Sequence, residues 1–328
     1  MKKTVLFLML ILCALQSFSQ RYLTNVFTEL DSTINGTYGN ALDYLGANQN
    51  LQFDFYEPKN DTETERPLLI YLHGGGFTSG DKDLLSVKLI CRKMALKGYA
   101  VANINYRLDP NFDMYNSATD RRAMTDAMHD AKQAIRYFKA NATTYKIDVD
   151  KVFIGGESAG AITSMMASFV DKQSEMVSYP MAIPNNVVGS TANNTVDNTV
   201  AGALCLCGLL LDTNAIETPS DPDVLWTHGS ADSFIPIALS FNVVLRALHI
   251  GLPIQTKVYN GADHCPWYYG SPNWDMYLDS TLTDISTFLY PRVTTNGVEE
   301  TQIKSLKIYP NPFNNVISIH FDDFIDEK

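Results

Sequence analysis

The stretch Val152–Val170, VFIGGESAGAITSMMASFV, carries the strongest structural signal in this chain. A short apolar run, VFIG, comes first, and a run of small and apolar residues follows the glycines. This order predicts a buried strand, a tight turn and then a helix. Within it, Gly156-Glu157-Ser158-Ala159-Gly160 fits the pattern G-x-S-x-G, in which small flanking residues permit a sharp turn that holds the serine above the sheet.

On both sides of this turn, short apolar strands alternate with longer amphipathic helices. The predicted strands are Leu51–Tyr56, Pro67–Leu72, Tyr99–Tyr106, Val152–Gly155, Ala201–Cys207, Val224–His228 and Ile254–Tyr259. The predicted helices are Asp83–Lys97, Thr119–Asn141, Ala159–Val170, Ile235–His249 and Met276–Tyr290. The pattern predicts an α/β fold with a mainly parallel central sheet and helices on both faces.

A glycine loop, His73-Gly74-Gly75-Gly76-Phe77, directly follows the predicted strand Pro67–Leu72. Glycines in such a loop can turn N–H groups toward a developing negative charge, where side chains would block the approach. A phosphate-binding loop is the competing interpretation of a glycine run. That loop requires a lysine and a hydroxyl residue after its last glycine, whereas Gly80 is followed by Asp81.

A catalytic serine needs a histidine base and an acid that orients this base. In α/β folds with such a serine turn, the acid and then the histidine follow the serine in the chain. His264 lies in a loop just after a predicted strand, where catalytic groups of α/β sheets gather, and is the candidate base. The other histidines after Ser158 have structural or surface interpretations: His228, His249 and His320.

Asp232 is the candidate acid because it follows the strand Val224–His228 within a short turn. Asp263 adjoins His264 and could hardly curl back to its ring. The remaining alternatives are less well placed after a strand: Asp212, Asp221 and Asp223. Any of these aspartates could instead cap a turn or a helix.

Aromatic residues crowd the chain just after His264, and two of them, Trp267 and Tyr268, are candidate walls of a substrate pocket together with Phe77 and Glu157. Aromatic residues more often belong to the core. Glu157 has a second interpretation as the acceptor of a structural hydrogen bond.

Five motifs together resemble bacterial carboxylesterases related to type-B and hormone-sensitive-lipase-like enzymes of the α/β-hydrolase superfamily: HGGGF, INYRL, GESAG, HGSAD and GADH. The resemblance covers about residues 50–290. It implies an oxyanion hole formed by the N–H groups of Gly75, Gly76 and Ala159, with His73 and Gly74 supporting the loop. It also implies acyl transfer through Ser158, without a cofactor or a metal ion.

The ends of the chain differ from its middle. Residues 1–19 have the basic head, apolar run and small residues of a signal peptide, so we expect a secreted protein without stable membrane insertion. We assign the catalytic domain to 20–290, with an insertion or lid at 171–200 and a polar linker at 291–305. Residues 306–328 form a predicted β appendage.

The appendage contains IYPNPF, which resembles the C-terminal sorting signal of proteins exported by the Bacteroidetes type IX system. This resemblance implies the type IX secretion machinery as a partner during export. Because the chain stops at Lys328, we expect 306–328 to be only part of such a sorting module.

Composition limits the remaining classes of function. The formal net charge is −11, so we exclude a nucleic-acid surface, which needs clustered Lys and Arg. Four cysteines follow the predicted signal peptide, and both one disulfide and buried free thiols are consistent with their positions: Cys91, Cys205, Cys207 and Cys265.

Together these features predict a secreted serine carboxylesterase that hydrolyses small or carbohydrate-linked carboxylic esters through an acyl-enzyme. A secreted peptidase or lactonase with the same triad is an alternative, because the triad does not determine the leaving group. A catalytically silent binding protein on a hydrolase fold is the alternative from another class.

Overall fold

The computed structural model describes residues 21–113, 120–172, 175 and 195–294, without the side chains of 120–121, and the backbone of 307–310 and 317–320. Eight strands form the main sheet: β1 (Leu30–Leu42), β2 (Asn48–Pro58), β3 (Arg66–Leu72), β4 (Ala100–Ile104), β5 (Ile147–Glu157), β6 (Gly202–Leu206), β7 (Asp223–Gly229) and β8 (Ile254–Tyr259).

Helices connect most of these strands, as expected where parallel strands need crossover connections. They are α1 (Leu85–Ala95), α2 (Asp120–Ala140), α3 (Ala142–Tyr145), α4 (Ala159–Phe169), α5 (Ile237–Ser240), α6 (Asn242–Ile250) and α7 (Trp274–Thr294), with a 3₁₀ turn at Thr213–Ala215.

The strand order across the sheet is β1-β2-β4-β3-β5-β6-β7-β8. Neighbouring strands pair in parallel from β4 through β3, β5, β6 and β7 to β8. Strand β2 pairs antiparallel with both β1 and β4. The mainly parallel sheet predicted from the sequence is therefore confirmed.

The chain reverses its direction of travel across the sheet at β3. From β3 it crosses to β4 on one side, and β5 then pairs with β3 on the other side. Loops leaving neighbouring strands at such a reversal diverge and open a crevice beyond the carboxyl ends of the strands. The glycine loop after β3 and the serine turn after β5 border this crevice.

Two apolar layers enclose the sheet, and alternate residues of β3 face opposite layers. Leu68, Ile70 and Leu72 pack into the layer that contains residues of α2, α4 and α6, whereas Leu69 and Tyr71 pack with α1 and α7. Burial on both faces explains why β3 is a continuous apolar run, PLLIYL, rather than an alternating one.

The apolar residues of the amphipathic helix α2 are buried as expected, but several polar residues beside them are buried as well. Asp130 is fully buried because Arg107 donates to both of its carboxylate oxygens, with its Nε and one terminal nitrogen at 2.7–3.0 Å. Buried charges are tolerated when they are paired in this way. The periodicity of α2 alone could not reveal a partner that lies after β4.

The four cysteines of the described residues are buried free thiols, which decides between the two interpretations of their positions. The backbone N–H of Cys265 donates to the Cys207 sulfur at 3.4 Å. No helix within the described ranges is both long and apolar enough to cross a membrane.

A second unit begins at Thr295, after α7. Its described part is an antiparallel pair, β9 (Lys307–Pro310) and β10 (Ile317–His320), where the sequence predicts a β appendage. Residues 291–294 of the predicted linker at 291–305 belong to the end of α7. The rest of this linker, the rest of the appendage at 306–328 and the predicted signal peptide at 1–19 lie outside the described residues.

Candidate active site

Ser158 occupies a strained turn between β5 and α4. Its backbone angles are φ 55° and ψ −121°, a combination that residues with side chains rarely adopt and that clusters at functional sites. A Cβ on Gly156 would lie 2.4 Å from the Leu72 carbonyl oxygen, and one on Gly160 would lie 2.3 Å from it. The two flanking glycines are therefore required by the close approach of β3, which explains the G-x-S-x-G pattern.

The side chains of Ser158, His264 and Asp232 lie in one hydrogen-bonded line. The His264 Nε2 and Ser158 Oγ atoms are 2.8 Å apart, and the His264 Nδ1 atom lies 2.7 Å from Asp232 Oδ2. These residues come from the loops after β5, β8 and β7. With Nδ1–H donating to Asp232, Nε2 is left to accept the serine proton.

Asp232 is held as a carboxylate by four donors. Its Oδ1 accepts from the N–H groups of Phe234 (2.9 Å) and Ile235 (2.8 Å), and its Oδ2 lies 3.1 Å from His228 Nε2 in addition to His264. Burial raises the pKa of Asp232, but the hydrogen bonds from His228, His264 and Ile235 outweigh this effect, and the pKa lies well below its ordinary value.

His228, for which the sequence suggests only a structural role, therefore contacts the candidate acid. Its Nε2–H lies between Asp232 Oδ2 and the Ile235 carbonyl oxygen, at 3.1 Å and 2.8 Å. Its ring stacks on Trp226 and is fully buried. The spacing HGSAD, with four residues from histidine to aspartate across a turn, is the signal from which this contact could have been inferred.

The glycine loop lies against the serine turn, since a Cβ on Gly74 would stand 3.3 Å from the Ser158 Cβ. Within the described parts of the chain, the N–H groups of Gly75, Gly76 and Ala159 have no acceptor. Gly75 has φ 122°, and a Cβ at this position would stand 1.9 Å from the Ser79 carbonyl oxygen. These N–H groups are available to a negative oxygen near Ser158.

His73 supports this loop through contacts of its ring and its carbonyl oxygen. Its Nδ1–H donates to the Gly74 carbonyl oxygen at 2.6 Å, and its ring stacks on Tyr106 with centroids 4.5 Å apart. The Tyr106 hydroxyl donates to the His73 carbonyl oxygen at 2.8 Å. Burial lowers the pKa of His73, which keeps the ring neutral.

A buried lysine just beyond the glycine loop is a further support that the sequence analysis did not identify. Lys82 is 3.0 Å from Asp54 in β2, and its backbone N–H donates to the Asn105 side chain at 2.7 Å. Asn103 donates to the Lys82 carbonyl oxygen at 2.6 Å. The two asparagines of the strand sequence ANINY thus fix the end of the loop.

The candidate pocket residues are mostly inaccessible. Phe77, Glu157 and Trp267 are fully buried, and only Tyr268 is partly exposed. The Trp267 indole N–H donates to Glu157 Oε2 at 2.6 Å, and the Tyr71 hydroxyl donates to the same oxygen at 3.3 Å. Contrary to expectation, these three side chains have no surface on which a substrate could lie, because the core encloses them.

The Glu157 side chain is mostly protonated, and therefore uncharged, below about pH 7. Burial raises its pKa to about 7, against the opposite effect of the hydrogen bonds from Trp267 and Tyr71. The unfolded chain would lose this proton near the ordinary value of 4.5. Between these two values the unfolded state binds fewer protons, so the free energy of unfolding falls as the pH rises.

Replacement of Glu157 by glutamine should remove this dependence, since the amide is neutral at every pH and its oxygen can still accept from Trp267. A shift of this size corresponds to about 3 kcal/mol. The stability of Glu157→Gln relative to the native chain should therefore rise by about 3 kcal/mol between pH 4.5 and pH 8 in urea titrations. Glu65→Gln, at an exposed carboxylate, controls for the lost charge, and parallel curves for Glu157→Gln and the native chain would contradict the prediction.

The alternative acids are engaged elsewhere. Asp263 accepts from the Ser233 N–H (2.8 Å) and hydroxyl (2.9 Å), not from an imidazole. Asp223 pairs with Arg292 at 2.7 Å. Asp212 and Asp221 accept from nearby backbone N–H groups, as turn-capping residues do.

His249 lies in the last turn of α6. Across the described ranges, no cluster of three potential metal ligands occurs.

Residues 53–203 match the protein family described as BD-FAE. Over 107 residues the chain is 29% identical to an acetyl esterase of Salmonella schwarzengrund, covering 32% of this chain and 29% of that protein. It is 32% identical over 108 residues to an arylacetamide deacetylase of Bos taurus, covering 32% of this chain and 25% of that protein. The chain thus spans less than a third of these relatives.

Solved structures extend the similarity over most of the chain. Thermogutta terrifontis esterase 2 phosphorylated by paraoxon has a TM-score of 0.63 at 18% identity, covering 81% of this chain and 96% of that one. The propionate-bound form of this Planctomycetes esterase gives a TM-score of 0.61 at 18% identity, covering 80% and 96%. At this identity the likeness concerns the fold: the chain has an α/β-hydrolase fold.

Proposed function

We propose that this protein is a serine carboxylesterase in which Ser158 is the nucleophile, His264 the base and Asp232 the orienting acid. The observation that carries the proposal is the Ser158–His264–Asp232 line, with its 2.8 Å and 2.7 Å separations, beside N–H groups that lack an acceptor among the described residues. The esterase names of the similar proteins support the same activity.

In the first half of the reaction, His264 Nε2 takes the proton from Ser158 as its Oγ attacks the ester carbonyl carbon. The N–H groups of Gly75, Gly76 and Ala159 bind the oxygen that becomes negative, and each such donor contributes about 3 kcal/mol to lowering the barrier in comparable sites. Asp232 stabilises the imidazolium and keeps the ring in the tautomer that the reaction requires. The imidazolium then protonates the departing alcohol.

In the second half, a water molecule gives its proton to His264 and attacks the acyl-enzyme. The same N–H groups stabilise the second tetrahedral intermediate, and Ser158 recovers its proton as the acid departs. Every proton in both halves passes through Nε2 of one imidazole. This chemistry is complete with the groups of the triad, the oxyanion hole and water.

The substrate class, export and sorting extend this proposal. Small or carbohydrate-linked esters are the proposed substrates, and residues 1–19 and 306–328 are the proposed signal peptide and part of a type IX sorting module. Residues 171–200 are the proposed insertion or lid, of which 173–174 and 176–194 lie outside the described residues.

Sequencing the N-terminus of protein recovered from the medium tests export. The expected start is close to residue 20, and intact N-termini on cell-retained protein would contradict it.

Purified protein should hydrolyse p-nitrophenyl acetate and leave peptide p-nitroanilides intact. Esters react more easily than amides, so cleavage of the anilides at a comparable rate would favour the peptidase alternative. A γ-lactone in the same assay separates the lactonase alternative. If none of the three is hydrolysed, the catalytically silent binding protein is the better account.

A further inference from the structure

Phe234 is a large apolar side chain that the fold leaves in solvent at the edge of the candidate active site. It is 75% exposed, although it follows the candidate acid by only two residues. Its ring lies beside the His264 imidazole, with centroids 5.3 Å apart and planes inclined by 37°. The core gains little from a ring in this position, because three quarters of its surface remains in water.

The backbone that carries the ring is fixed relative to the triad. The backbone N–H of Phe234 donates to Asp232 Oδ1 at 2.9 Å, and the next N–H, of Ile235, donates to the same oxygen at 2.8 Å. Asp232 in turn holds His264 through the 2.7 Å contact between Oδ2 and Nδ1. The Phe234 backbone and the His264 imidazole thus both contact one carboxylate.

The proposed reaction determines which part of the ester lies next to His264. The alcohol leaves with a proton from His264 Nε2, so its oxygen has to approach this nitrogen within hydrogen-bonding distance. In the proposed oxyanion hole the carbonyl oxygen is bound by Gly75 and Gly76. The centroid of the Phe234 ring is 5.3 Å from that of the same imidazole, so an alcohol skeleton that extends from Nε2 along the imidazole can contact the exposed ring.

We propose that Phe234 is the specificity-determining platform for the alcohol part of the ester, and that this part carries a six-membered ring with an apolar face. This inference rests on the proposed esterase function. An aryl ring offers a π face and a pyranose offers a face of C–H groups, and both stack on an exposed phenylalanine. The shared chemistry is a ring placed on the leaving-group side of the site.

The test compares kcat/KM for esters that differ in one part at a time: ethyl acetate, benzyl acetate, a monoacetylated methyl xylopyranoside and ethyl benzoate. For Phe234→Ala, we expect a fall of about fivefold with benzyl acetate, with the xyloside or with both, because aromatic contacts contribute on this scale. Ethyl acetate and ethyl benzoate should change by less than about twofold. A lower kcat/KM with benzyl acetate identifies an aryl alcohol, and a lower kcat/KM with the xyloside identifies a sugar alcohol.

Two further variants complete the comparison. Phe234→Tyr keeps an aromatic face and should retain the native pattern. Leu45→Ala removes an equally exposed side chain, 75%, at the β1–β2 turn beyond the far edge of the sheet, and should leave all four esters unchanged.

An equal fall with all four esters after Phe234→Ala would overturn the platform, since the ring would then act by holding the imidazole. A lower kcat/KM with ethyl benzoate alone would also overturn it, because Phe234 would then contact the acyl part of the ester. Unchanged values for every ester would overturn it as well. Failure of the native chain to hydrolyse any ester is a separate outcome that removes the proposed esterase function and this inference with it.

Discussion

Replacing Ser158 by alanine should lower kcat for p-nitrophenyl acetate by about 10⁵- to 10⁶-fold, the scale on which loss of the nucleophile acts in serine hydrolases with this triad. The alanine side chain has no atom that can form the acyl bond, and water attack at the oxyanion hole supplies only the residual rate. Stopped-flow and steady-state assays with purified protein measure the change.

The fold should tolerate this substitution. Alanine adopts the φ of 55° at this position with the same strain as serine, so the melting temperature should remain close to that of the native chain. Ser168→Ala is the matched control on the helix that follows Ser158, because the Ser168 hydroxyl donates to the Ser164 carbonyl oxygen, at 2.8 Å. It should retain activity within about twofold. A Ser158→Ala protein with undiminished esterase activity would exclude Ser158 as nucleophile.

Asp232→Asn should lower kcat by about 10⁴-fold while leaving the backbone in place, as a carboxylate-to-amide change does in this triad. The amide oxygen can keep the two backbone donors from Phe234 and Ile235. Its NH₂ group then faces His264 Nδ1, so the ring must accept there and carry its proton on Nε2. In that tautomer Nε2 cannot take the proton of Ser158.

Asp263→Asn separates this effect from a general loss of charge near His264. The Asp263 carboxylate is exposed and accepts from Ser233 and from the His264 backbone N–H at 2.7 Å, but it does not contact the imidazole. It should therefore change kcat by less than about tenfold. If Asp263→Asn were the more damaging of the two substitutions, the assignment of Asp232 as the orienting acid would be wrong.

Features imposed by backbone contact were accessible from the sequence. Gly156, Gly160 and Gly75 each lie where a Cβ would collide with another backbone segment, so the requirement appears directly as a residue type. The buried strand β3 was likewise recognisable, because both of its faces are covered by apolar layers. In addition, the order of serine, acid and histidine along the chain restricted the candidates for the triad.

The edge strand β1 was not predicted, because its sequence LDSTINGTYGNAL lacks an apolar alternation. Only Tyr38 of its thirteen residues is buried, so the strand is specified by pairing with β2 rather than by a hydrophobic face. Pairing of this kind depends on a partner strand and leaves little local trace.

Side-chain contacts between distant positions were also inaccessible. The Lys82–Asp54 pair and the contact between the Phe234 and His264 rings join residues separated by about thirty positions, in segments whose approach depends on the whole sheet. Sequence patterns indicate which residues lie at the carboxyl ends of strands, but not which of them touch. The aromatic residues after His264 illustrate this difficulty, since Trp267 enters the core whereas Tyr269 remains exposed.

Covalent labelling tests the central claim, that the hydroxyl of Ser158 is activated by His264, most directly. The native chain is incubated with paraoxon, and the modified peptide is identified by mass spectrometry. We expect one diethylphosphoryl group per chain, carried by Ser158, and a labelling rate that falls by several orders of magnitude in His264→Ala. Labelling at any other residue, or labelling of Ser158 at an undiminished rate in His264→Ala, would contradict the account.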